Sequence, residues 1–258
     1  MRSPEKKKHF GKRVLDARNL VKIYKGATHP SLNGIDISVD EGEIIGLLGP
    51  NGAGKTTVVS ILSTLMQPTL GSITLFGIDL IRHPGQAKKF LGFVPQEIAL
   101  YPKLTALENL AYFGRLNGLH GKPLKKRISE CLELVGLEEK ANALVCTYSG
   151  GMKRRANLAV GILHTPKILF LDEPTVGIDA QSRNMILEKL RLLQKSKTSM
   201  IYTTHYMEEA EQLCSKVSII DNGRIITEGN PRELIEQAGG SRNLGELFLG
   251  LTGKCLRD

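Results

Sequence analysis

The chain has 258 residues, 41% of them hydrophobic and 24% charged, which is enough apolar content to bury a core and too much for a disordered chain. Its formal net charge is +9, yet residues 1–13 carry six basic side chains against one acid, so more than half of the excess lies in a short N-terminal tail. With no tryptophan and 5% aromatic residues there is no stacking platform for single-stranded nucleic acid, and nucleic acid is not expected as a partner.

Two readings of the tail stay open: a solvated leader, or an anchor to an anionic membrane surface. No apolar stretch follows it, so it is not a secretory signal. Residues 56–78 lack charge, but Gln67, Pro68 and Gly71 interrupt them and no membrane span is expected. Cys131, Cys146, Cys214 and Cys255 show no C-x-x-C spacing and read as reduced thiols of a cytosolic protein.

From Leu15 to Val39 apolar and polar residues alternate in short runs, which predicts edge-like antiparallel strands joined by a polar loop near residues 25–30. Ile44, Ile45, Leu47 and Leu48 form a continuous apolar run, the pattern of a strand buried on both faces. Val58, Ile61, Leu62 and Leu65 follow at helical spacing, with Pro68 as the expected stop. Strands are predicted at 72–76 and 90–94.

From about residue 97 to 165 the pattern is helical. Thr105 and Glu108 form a capping-box signature, and the stripe Ile128, Cys131, Leu132, Val135 ends at Gly136. Apolar strands are predicted at 167–171, 199–203 and 216–220, with a hairpin turning at Asn222 and Gly223. Strands and helices alternating on either side of a helical block imply an α/β fold: a parallel sheet, an antiparallel β subdomain and an all-helical insertion. Leu244, Leu247, Phe248 and Leu251 predict a C-terminal amphipathic helix, packed on its own domain or on a second protomer. The expected organisation is a tail at 1–13, one domain at 14–240 with its insertion at about 97–165, and a helical segment at 241–258.

The strongest chemical signal is Gly49, Pro50, Asn51, Gly52, Ala53, Gly54, Lys55 and Thr56, which match G-x-x-x-x-G-K-[ST]. The glycines let backbone N–H groups turn inward around a β-phosphate. Lys55 reaches the β- and γ-phosphates, and the Thr56 hydroxyl can ligate Mg²⁺. Thr57 extends the loop into the helix, whose positive end faces the anion. The loop lies between a buried strand and an amphipathic helix, as that mechanism requires.

A second signal is the run Ile168-Leu169-Phe170-Leu171-Asp172-Glu173, a buried strand delivering two acids at its carboxyl end, where ligands bind in parallel sheets. Asp172 is assigned to the metal and Glu173 to the attacking water. A third is Ser149-Gly150-Gly151-Met152, a serine and two glycines opening a helix, a second anion-binding end. One triphosphate needs only one phosphate loop, so the second suggests a site shared between subunits.

With these motifs the chain resembles the nucleotide-binding domain of an ATP-binding cassette (ABC) transporter, from about Leu15 to the C-terminus. The resemblance implies a P-loop ATPase fold. Residues 49–56 match the Walker A loop and residues 168–172 Walker B, with Glu173 as the catalytic carboxylate. Residues 149–152 match the signature motif, which in the family contacts ATP held by the opposite protomer. Gln96 matches the Q-loop glutamine, linked to Mg²⁺ or water. His205 matches the switch histidine on the γ-phosphate, and Asp179 the D-loop aspartate. Tyr24 fits the aromatic that stacks on adenine.

Tyr148 and Met152 stand where leucine and glutamine are commonest, Val176-Gly177-Ile178 where Ser-Ala-Leu is, and Tyr206 where an aspartate often follows the histidine. These departures are similar to the ABC-2-type exporter branch, which holds drug, antibiotic, polysaccharide and self-resistance exporters. The resemblance implies Mg²⁺-dependent ATP hydrolysis, a homodimer of nucleotide-binding domains in the ATP state, a separate membrane subunit, and a peripheral place on the cytoplasmic face of the membrane. A soluble ABC-type ATPase of DNA repair or translation is the alternative.

Overall fold

The structure is a computed structural model that describes residues 12–253. Strand β1 (Arg13–Lys22) pairs antiparallel with β2 (Leu32–Asp40) across the polar loop. Arg13 lies inside β1, its Nε donating to Asp40 Oδ1 at 2.9 Å, so the predicted tail at 1–13 runs too far. The Arg13 backbone pairs with Asp40 on β2 while its side chain stays exposed. Residues 1–11 of the predicted tail lie outside the described residues, as does Cys255, whereas Lys12 is described.

β3 (Ile44–Leu48) is buried at every position, as its apolar run requires. α1 (Lys55–Leu62) ends sooner than its periodicity predicts. Thr64 takes a left-handed φ of 64°. Its N–H bonds back to Ile61 O at 3.1 Å and that of Leu65 to Ser60 O at 2.9 Å. That is a Schellman closure, so the stop precedes Pro68 and Leu65 is left 65% exposed. β4 (Leu70–Leu75) and β5 (Ile78–Asp79) complete a four-stranded antiparallel sheet of order β2-β1-β4-β5. β2 is therefore an edge and β1 is not.

The short α2 (Pro84–Ala87) leads to β6 (Leu91–Val94). The insertion consists of α3 (Ala106–Leu116), α4 (Gly121–Val135) and α5 (Gly150–Ile162). The Thr105–Glu108 capping box is formed, with Glu108 N–H donating to Thr105 Oγ1 at 3.1 Å and Thr105 N–H to Glu108 Oε2 at 2.8 Å. Gly136 ends α4 at φ 62°.

The chain then runs through β7 (Ile168–Asp172), α6 (Ala180–Lys195), β8 (Ser199–Thr204), α7 (Met207–Leu213), β9 (Lys216–Asp221), β10 (Arg224–Gly229), α8 (Pro231–Gln237) and α9 (Leu244–Thr252). Asn222 and Gly223, at φ 47° and 71°, turn the β9–β10 hairpin. The second sheet has the order β10-β9-β3-β8-β7-β6, parallel except at β10.

The strand period of two divides this sheet between two cores. Ile44, Leu48, Leu169, Leu171, Met200 and Tyr202 face the helical insertion. Ile45, Leu47, Ile168, Phe170 and Ile201 face α1 and the antiparallel sheet. Leu244, Leu247 and Phe248 of α9 are buried in the first core, so this helix packs on its own domain, while Leu251 stays exposed. Among the described residues no helix is long and apolar enough to cross a membrane.

Candidate active site

The sheet order makes the carboxyl ends of β3, β8, β7 and β6 four consecutive neighbours. Each delivers one part of the site: the phosphate loop after β3, His205 after β8, Asp172 and Glu173 at the end of β7, and Gln96 after β6.

Loop residues 49–54 join β3 to α1. A Cβ on Gly49 would lie 2.3 Å from the Ile220 carbonyl oxygen, so only glycine lets the loop pass β9. α1 starts at Lys55 with no side-chain cap, leaving its first N–H groups to a ligand. Lys55 is 5% exposed. Its Nζ donates to Gly49 O at 2.8 Å and Pro50 O at 3.2 Å and sits 3.7 Å from Glu173 Oε1. Burial holds its pKa below the usual lysine value, against the pull of Glu173 and Asp172. A cavity of about 170 Å³ is lined by Ser31, residues 51–57 in part, Gln96 and Glu173. Tyr24 reaches its edge: its hydroxyl is 3.1 Å from Thr57 Oγ1.

Asp172 Oδ1 accepts from Thr203 Oγ1 at 2.7 Å and from Thr56 Oγ1 at 3.4 Å. Burial raises its pKa, opposed by those two hydroxyls and by Lys55. A buried carboxylate beside a threonine hydroxyl is a hard-oxygen donor pair suited to Mg²⁺. Among the described residues no group of three or more His, Cys, Asp or Glu could hold a metal alone. With only these donors in the chain, a divalent ion would take its other ligands from phosphate and water.

Glu173 takes a left-handed φ of 46°, strained for a residue with a Cβ. Its N–H is held by Thr203, donating to Oγ1 at 2.9 Å and to the carbonyl at 3.2 Å. One carboxylate oxygen faces Lys55. The other lies 3.3 Å from His205 Nδ1 and accepts from Gln96 Nε2 at 3.4 Å. The carboxylate thus stands at the centre of three polar groups from three strand ends.

The signature residues sit elsewhere. Ser149 is exposed and caps α5, its Oγ accepting from Met152 N–H at 3.2 Å. It does not line the cavity. Asp179 caps α6 in the same way, and its bonds from Ser182 hold its carboxyl below the usual range. A Cβ on Gly151 would meet Ser182 Oγ at 2.1 Å, so glycine is what lets α5 and α6 begin side by side.

The family model described as "ABC transporter" matches residues 32–176. The linearmycin resistance ATP-binding protein LnrL of Bacillus subtilis (strain 168) is 48% identical over 88% of this chain and 72% of its own length. The chain belongs to the ABC transporter family.

Two further relatives of this ABC protein are the Nod factor export ATP-binding protein I of Cupriavidus metallidurans and the daunorubicin/doxorubicin resistance ATP-binding protein DrrA of Streptomyces peucetius. The first is 42% identical over 86% of this chain and 73% of its own length; the second is 39% identical over 88% and 68%. None of the three is named as a repair or translation protein. A solved ATP-binding subunit of an ABC transporter superimposes with a TM-score of 0.83, at 28% identity, over 93% of this chain and 99% of that one. A dimeric post-hydrolysis state of the ATP-binding cassette MJ0796, bound to ADP and Pi, gives 0.77 at 26% identity over 84% and 98%.

Several residues of the ABC site were missed in the sequence. Thr203 bonds both acids of β7, and Ser31 lies 3.3 Å from Thr57 Oγ1. Asn157 of α5 fixes the Gln96 loop, donating to Pro95 O and accepting from Ala99 N–H, both at 3.2 Å. Arg154, also on α5, donates to Gln96 O and, at 3.2 Å, to Val176 O. Thr203 lay in the run 203–211 and Arg154 in the basic run after Met152, with no role assigned to either; Ser31 and Asn157 had no signal.

Proposed function

We propose that this chain is the ATP-hydrolysing subunit of an exporter, working on the cytoplasmic face of a membrane against a separate membrane subunit. The observation that carries the reading is the meeting of Lys55, Thr56, Asp172, Glu173, Gln96 and His205 at four adjacent strand ends. Exporter function rests on the likeness to the resistance and Nod factor export proteins.

ATP enters with its β- and γ-phosphates on the N–H groups of residues 52–56, and Lys55 turns from the loop carbonyls to them. Thr56, Asp172 and Gln96 would hold Mg²⁺, which when bound supplies charge neutralisation at the phosphate oxygens. Glu173 accepts the proton of a water aimed at the γ-phosphorus. His205 orients Glu173 and donates toward the γ-phosphate. Ser149, Gly150 and Gly151 complete the site of a second copy, so that two chains hold two ATP molecules across a two-fold axis, with Asp179 near the axis. Tyr24 stacks on adenine, supported by its place beside Thr57.

Affinity capture of the tagged chain from detergent-solubilised membranes of its host is the direct test of the transport role. A co-purifying integral membrane protein that stimulates phosphate release supports it. Recovery from the soluble fraction alone, with ribosomes or DNA, would favour the non-transport alternative. For the adenine contact, Tyr24→Ala should weaken ATP binding by about 1–3 kcal/mol, the worth of one base–aromatic stack. Fluorescent-ATP titration reads it, and an unchanged Kd removes Tyr24 from the site.

A further inference from the structure

His205 has one polar partner at the site, Glu173, and its ring needs a second constraint to hold its plane. That constraint lies behind it. The Tyr206 ring packs on the His205 ring at 4.2 Å between centroids, tilted 39°. On Tyr206 lies the Arg183 guanidinium, its Cζ 4.3 Å from the ring centroid. Arg183 belongs to the first turn of α6, where its N–H donates to Asp179 O at 3.0 Å.

Arg183 is itself fixed by Glu209 of α7, with Nε and Oε1 3.3 Å apart. Both atoms are buried and neither makes a hydrogen bond, so this ion pair is their electrostatic complement. The Glu209 side chain is 3% exposed. Its other oxygen accepts from three hydroxyls: Tyr202 at 2.6 Å, Thr204 at 2.8 Å and Thr175 at 3.0 Å. Thr204 Oγ1 in turn accepts the Tyr206 N–H at 3.0 Å. One buried carboxylate therefore fixes the residue before His205, the backbone of the residue after it, the segment following Glu173, and the arginine on Tyr206.

We propose that Arg183 and Tyr206, seated by Glu209, are positioning residues that set the ring plane of His205 against Glu173. The proposal rests on the ATPase reading above. It gives Tyr206 a role that an aspartate at this position could not fill, because a carboxylate has no ring to lie against the His205 imidazole. It also ties the alignment of His205 to the first turn of α6, the turn capped by Asp179.

The test is steady-state ATP hydrolysis by the full chain, with thermal unfolding of each variant as the check on folding. Tyr206→Ala should lower kcat about tenfold with KM for ATP changed less than twofold, the mark of lost alignment rather than lost binding. Tyr206→Phe, which keeps the ring, should restore kcat. Arg183→Met should behave as Tyr206→Ala does, and it decides the matter if Tyr206→Ala does not fold. Unchanged kcat in Tyr206→Ala overturns the proposal. So does a Tyr206→Phe variant as impaired as Tyr206→Ala, or a loss carried in KM. Wild-type turnover in the same assay, abolished by Glu173→Gln, separates failure of this proposal from failure of the ATPase reading.

Discussion

Glu173→Gln should reduce phosphate release from ATP by about 10²- to 10⁴-fold while leaving ATP bound, because the substitution removes the base and little else. Glutamine keeps the volume and one acceptor oxygen, so the contact with Gln96 and the backbone bonds to Thr203 can persist. It cannot take a proton. Lys55 loses one of its two nearby carboxylates but retains Asp172, so the fold should be nearly unchanged. A single-turnover assay with radiolabelled ATP reads the chemical step, and equilibrium binding reads the rest. Wild-type turnover would mean that another group activates the water. Lost binding would mean that Glu173 holds the site together instead of reacting in it.

Ser149→Arg should abolish steady-state turnover while the isolated chain still binds ATP. The serine is exposed, caps α5 and does not line the cavity built by Ser31, residues 51–57 in part, Gln96 and Glu173. In the proposed shared site it acts on a neighbouring copy, where a long cation would meet the approaching nucleotide face. Losing the cap costs about 0.5–2 kcal/mol, which thermal unfolding will show and which a stable domain tolerates. Light scattering under ATP should find the Glu173→Gln variant as a dimer and the Glu173→Gln/Ser149→Arg double variant as a monomer. If Ser149→Arg turns over normally, the shared site is wrong; if the monomer loses ATP binding, Ser149 serves its own chain.

These two tests divide the site as the chain divides it. Walker A and Walker B residues come together within one chain, through Lys55–Glu173 at 3.7 Å and Thr56–Asp172 at 3.4 Å. The signature residues come together instead with Asp179 and Ser182, outside the cavity lining.

The local codes were legible in the sequence. An all-apolar run specified β3, a Thr-x-x-Glu box started α3, a glycine ended α4, and Asn-Gly turned the last hairpin, because each is decided within a few residues. The end of α1 was misplaced for a related reason. Leu65 fits the helical stripe, yet three backbone bonds to Ser60 and Ile61 close the helix before it, and no side chain announces them. The reach of the tail was also misjudged, since the Asp40 that pairs with Arg13 across the sheet lies 27 residues away.

By itself the sequence determined the candidate parts: the short runs of fixed residue types read as a phosphate loop, a metal carboxylate, a base and a second anion-binding helix end. Only the tertiary structure decided which of them meet. In chain order β3, β6, β7 and β8 are spread over some 160 residues, but the sheet sets them side by side as β3-β8-β7-β6. Parallel strands need crossover connections, and the sequence of those connections does not state which neighbour each strand will take. The same indifference to chain order hid Thr203 between the acids, and Arg183 and Glu209 behind His205. No motif assigns these residues such roles, which exist only once β7, β8, α6 and α7 are packed.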